Sequence, residues 1–138
     1  MRLGGICAAV WISASGAAMA DPQTDYMLKC MGCHGPDGAE VVGKVPALKG
    51  HVARFLSVPG GRDFLVQVPG TRQSPLDDAS VAALLNWLVK HFDAEHMPEN
   101  FTPYTTEEVT ELRRHKPAHV NEEREKLVDM MEPEKTSR

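Results

Sequence analysis

A chain of 138 residues has room for one small domain with a limited apolar core. Its formal charge of −4 and the absence of any basic tract interleaved with aromatics exclude a nucleic-acid binder. There is no internal repeat and no low-complexity tract, and past residue 20 no stretch is long and apolar enough to cross a bilayer.

Residues 1–20 read as a secretory signal peptide. Arg2 supplies the basic start, Ile6 to Ile12 the apolar core, and Ala18-Met19-Ala20 a small-residue cleavage site before Asp21-Pro22. Cys7 leaves with that segment, so the expected mature chain of 118 residues keeps only Cys30 and Cys33. The expected location is the periplasm. Removing Arg2 takes the balance to −5, and the charge is unevenly spread. Residues 41–76 carry Lys44, Lys49, Arg54, Arg62 and Arg72 against Asp63 alone, whereas the flanking stretches are acidic. Such a basic face suits an acidic partner.

The first helix is expected from about Thr24, with Tyr26, Met27 and Cys30 at helical spacing. It runs into Cys30-Met31-Gly32-Cys33-His34 and stops at Gly35-Pro36-Asp37-Gly38. A C-x-x-C-H pentapeptide reads as a covalent haem-attachment site. Two thiols this close reach the same edge of a porphyrin, each forming a thioether to a vinyl group, and the adjacent imidazole takes an axial position on iron. An oxidising compartment also permits a disulfide or a redox dithiol here, but the adjacent histidine favours haem.

Residues 35–50, rich in Gly and Pro, read as loop. A short helix is predicted over residues 61–68, between Pro59-Gly60-Gly61 and Pro69-Gly70. The clearest helix spans 78–92, where Val81, Leu84, Leu85, Leu88, Val89 and Phe92 form one stripe and Asp77 or Asp78 caps the start. Trp87 and Phe92 on it are expected to wall the haem. Thr105-x-x-Glu108 reads as a capping box opening a helix that ends before Pro117. A mostly charged helix from about Asn121 to Met131 has only Leu127, Val128 and Met131 on one face. No segment alternates like a strand, so the expected fold is all-α. The expected division is residues 21–115 as the domain and 116–138 as a charged helical tail with room to dock a partner.

Cys30 to Gly38, followed by Val45-Pro46-Ala47-Leu48-Lys49-Gly50, resembles the start of a class I cytochrome c domain, and the order of elements extends the resemblance over residues 24–115. The resemblance implies a small helical fold around one haem c per chain, held through Cys30 and Cys33 with His34 on iron. It also implies that the Pro46 carbonyl accepts the Nδ1 proton of His34, and that Leu48 packs on the haem. The sixth ligand it implies is a methionine from the loop before the C-terminal helix. Met97-Pro98, 63 residues after His34 and before the helix capped by Thr105, fits the longer members. Shorter members place the ligand within residues 69–75, where this chain has neither Met nor His. If residues 78–92 form the last haem-packing helix, the distal position is open or filled by another residue. Bis-histidine ligation through His51, His91 or His96 is the alternative. His51 is otherwise expected to face solvent, and His91 and His96 to flank a helix end as cations. His115 and His119 are expected on the surface, and Tyr104 as a loop anchor.

A six-coordinate haem shuttles one electron. The resemblance therefore implies a periplasmic monohaem carrier that takes electrons from a dehydrogenase, with room to be its dedicated subunit, and passes them to an oxidase or another cytochrome. No general base, nucleophile or hydrolytic metal motif points to an enzyme; an open distal site implies instead a haem enzyme or gas sensor.

Overall fold

Helix α1 (Pro22–Lys29) begins where the sequence supplies an acidic cap and a proline: the Asp21 carboxylate accepts the Thr24 N–H at 3.2 Å, and Pro22 opens the first turn. The computed structural model describes residues 21–43 and 45–132; the expected signal peptide and Lys44 lie outside them. The helix breaks at Cys30 (φ −121°), and a single further turn, α2 (Met31–His34), carries the rest of the motif. Gly35, at φ +67°, ends it.

The segment after α2 turns at Gly38, where two constraints meet. Its φ is +63°, and an added Cβ would lie 2.8 Å from the Phe92 ring. Its carbonyl accepts the N–H groups of both Leu48 and Lys49, which closes the loop. Gly38→Ala is therefore expected to destabilise the domain by about 1–3 kcal/mol, measured by denaturant unfolding; an unchanged midpoint would show that Phe92 yields freely.

A 3-10 helix (Ala53–Ser57), α3 (Gly61–Gln67) and α4 (Pro69–Arg72) follow, the first and third in stretches where the sequence predicts no helix. Helix α5 (Asp78–Asp93) is the central element. Asp77 caps it through Ser80 N–H at 2.7 Å, and Val81, Leu84, Leu85, Leu88, Val89 and Phe92 are all buried, as their spacing requires. It crosses α1, where Tyr26 meets Trp87 and Phe92 with ring centroids 5.6 and 5.0 Å apart. A second 3-10 turn (Ala94–His96) leads to α6 (Thr106–Leu112) and α7 (Val120–Met131). Among the described residues the only strand-like pairing is a bridge between Val41 and Val45.

Two arginines tie the later helices to the earlier ones. Arg62 on α3 forms a bidentate pair with Glu108 and donates to the Thr102 carbonyl, with its guanidinium over the Tyr104 ring at 4.0 Å. Thr105 caps α6 as expected, and the Glu108 carboxyl, the other half of the expected box, is held by the Thr105 backbone as well as by Arg62. Tyr104 is an anchor: it is buried, its hydroxyl donates to the Arg62 carbonyl, and its backbone is held at both ends by Asn86. Arg113, at the C-terminal cap of α6, grips residues 72–78 through the carbonyls of Arg72, Ser74 and Leu76 and the Asp78 carboxylate. Helix α7 lies on the 3-10 helix of residues 53–57 with Leu127 fully buried, so its apolar face packs on the domain.

Candidate functional site

Helix α2 gathers the motif. The amides of Cys33 and His34 both bond to the Cys30 carbonyl, at 3.1 and 3.0 Å, so the two cysteines and the histidine sit on one helical turn. Both cysteines are free thiols, Cys30 half-buried and Cys33 exposed. Burial, reinforced by the Asp25 carboxylate, pushes the Cys30 thiol up from its ordinary value. The space beside this turn is open: a Cβ at Gly32 or Gly35 would meet nothing within 4 Å.

The His34 ring is half-buried, and burial lowers its pKa, which keeps a ring nitrogen free to act as a ligand. The Pro46 backbone carbonyl opposes that shift, although Nδ1 itself is buried and makes no well-formed hydrogen bond. The two observations together describe a carbonyl close to the ring but not yet aligned with it. A half-buried imidazole whose buried Nδ1 lacks a partner, next to two free thiols, fits a haem: the group would take both sulfurs and one ring nitrogen, leaving Nδ1 to point at Pro46. Leu48, partly buried, packs against the core beside this turn.

Met97 follows the 94–96 turn at the C-terminal end of α5 and packs, partly buried, against the core. That end is clipped to the segment after Gly50: Gly50 N–H donates to the Phe92 carbonyl at 3.0 Å, and Ala53 N–H to the Asp93 carboxylate at 2.8 Å. His96 completes the clip. Its Nδ1 meets the other Asp93 oxygen and its Nε2 faces the Arg54 guanidinium at 2.7 Å. An arginine only donates, so Nε2 accepts in the contact with Arg54. His96 thus connects Asp93 to Arg54. His91 stacks on Trp87 with centroids 4.3 Å apart and stays exposed, as does His51.

Asp25 escaped the sequence reading. It is 4% exposed, and its Oδ2 has no hydrogen-bond partner. The only sequence signal was a carboxylate directly before the core residue Tyr26.

The chain is 34% identical to a cytochrome c-552 of Thermus thermophilus over 130 residues, covering 80% of this chain and 87% of the relative. It is also 34% identical to a second Thermus thermophilus cytochrome c-552 over 119 residues, covering 72% of this chain and 91% of that relative. No family model matches the chain. With both relatives nearly spanned, and with a helical fold that opens on the C-x-x-C-H turn, the chain belongs to the class I c-type cytochromes.

Proposed function

We propose that this protein carries single electrons in the periplasm through one haem c, held by thioethers to Cys30 and Cys33 and ligated by His34. The observation that carries this reading is the turn of α2, which presents two free thiols beside a half-buried imidazole whose Nδ1 lies near the Pro46 carbonyl. When bound, the haem supplies a one-electron couple between ferric and ferrous iron. The protein's own part is to fix the ring of His34, to bury that side with Leu48, and to keep water from the core packed around Tyr26, Trp87 and Phe92. A periplasmic dehydrogenase is the proposed donor, and an oxidase or a second cytochrome the proposed acceptor. Met27, Leu28, Val41 and Val42, which flank the motif in the sequence, are exposed and offer apolar contact to such a partner.

The basic stretch contributes less than its count suggests. Arg62 is neutralised by Glu108, and Arg54 is held by the Gly50 carbonyl and His96, whereas Lys49 remains exposed. Reductive titration should take one electron per chain. The rate of electron exchange with the donor should fall as salt rises past about 0.1 M, where the Debye length is about 10 Å. Reversing Lys44 and Lys49 should flatten that dependence; a rate indifferent to salt in the parent would remove the basic face from the account.

A further inference from the structure

We propose that no side chain of this protein completes the iron coordination opposite His34, so that the distal position is a binding site for a small exogenous ligand. The ligands expected are a diatomic π-acceptor such as carbon monoxide or nitric oxide on ferrous iron, and a small anion such as cyanide on ferric iron. The proposal rests on haem attachment through Cys30, Cys33 and His34.

The first observation is what the crossing chain lacks. Positions 52–89 hold no Met, His, Cys, Lys or Tyr, the side chains able to ligate a haem iron. That stretch includes the 3-10 helix of residues 53–57, α3, α4, residues 73–77 and nearly all of α5. These elements lead from the Pro46 turn to the helix that closes the domain against α1. The segment directly before α5 also has no freedom to rearrange, because Arg113 holds three of its carbonyls and Asp78.

The second observation concerns the nearest candidates beyond position 89. Met97 follows a turn clipped to residues 50–54 by three contacts, and that segment continues directly from the Pro46 turn that faces His34. Met97 is therefore tethered to the side of the domain that supplies the proximal ligand. His96 has both ring nitrogens engaged, by Asp93 and Arg54. His91 is stacked on Trp87 at the surface.

A segment of this length that is empty of ligating side chains leaves the distal face to a guest.

The test uses the full-length protein with haem attached, verified by haem staining on a denaturing gel. The ferric protein is expected to be high-spin at neutral pH. On the ferrous protein, the observed rate of carbon monoxide binding should rise linearly with its concentration, because no internal ligand must leave first. Met97→Ala, Met97→Leu and His96→Gln should each leave the ferric spectrum high-spin. A low-spin parent whose carbon monoxide binding saturates would overturn the proposal, and whichever variant turned high-spin would identify the ligand. A chain that carries no haem on the gel overturns the attachment reading and this one together, whereas a haem-bearing low-spin chain overturns this one alone.

Discussion

A variant with Cys30 and Cys33 both replaced by alanine is expected to carry no haem through a denaturing gel, while each single variant retains one thioether and holds haem less firmly. The loss should be chemical rather than conformational. The Cys30 side chain makes no capping hydrogen bond, and Cys33 is exposed on α2, so alanine preserves the backbone at both positions. Circular dichroism of the apo forms of parent and variant should therefore agree. Haem surviving denaturation in the double variant would overturn the assignment of the motif, as would a disulfide found between the two sulfurs in the parent.

The second large effect is expected at Arg113. Its side chain is 17% exposed and makes five hydrogen bonds to residues 72–78. Arg113→Met keeps the aliphatic stem but removes every donor, leaving three carbonyls and a carboxylate to find water. Breaking such a paired, mostly buried cation costs roughly 3 kcal/mol or more. Arg113→Lys should recover less than half, since one ammonium cannot reproduce the planar fork. Denaturant midpoints of the haem-bearing protein measure both.

The same contact has a pH signature. Hydrogen bonds from Thr110 and Arg113 hold the Asp78 carboxyl below its ordinary value. A depressed folded-state pKa contributes stability that is complete above the unfolded value of about 3.9 and is lost as pH falls through the folded one. The acid limb of the stability curve should flatten in Arg113→Met; an unchanged limb would show that Asp78 gains nothing from the arginine.

What was legible in the sequence was local. The cap at Asp77, the stripe on α5 and the cap at Thr105 are each specified within a few neighbouring residues, and all appear where expected. The arginine clamps were not legible, because Arg62 and Glu108 are 46 residues apart and Arg113 and Ser74 are 39. Nothing near either arginine in the sequence indicates its partner. His96 illustrates the same limit: its place after α5 suggests only a helix-end residue, but one of its two partners is Arg54, 42 residues earlier. Met97-Pro98 matched a pattern of spacing, and spacing cannot say that Asp93 and Phe92 pin the preceding turn to residues 50–53. The burial of Asp25 was equally invisible, since a carboxylate on a short helix reads as solvent-facing.

The burial of Leu127 sets an order of events in the making of the protein. A chain synthesised from its N-terminus presents Cys30, Cys33 and His34 before Leu127, the side chain that α7 inserts against residues 53–57, which follows His34 by 93 residues. The attachment site is thus available for a long interval before the helix that seals the core exists. Under the proposed function, haem delivered in that interval meets a chain that α7 has not yet closed.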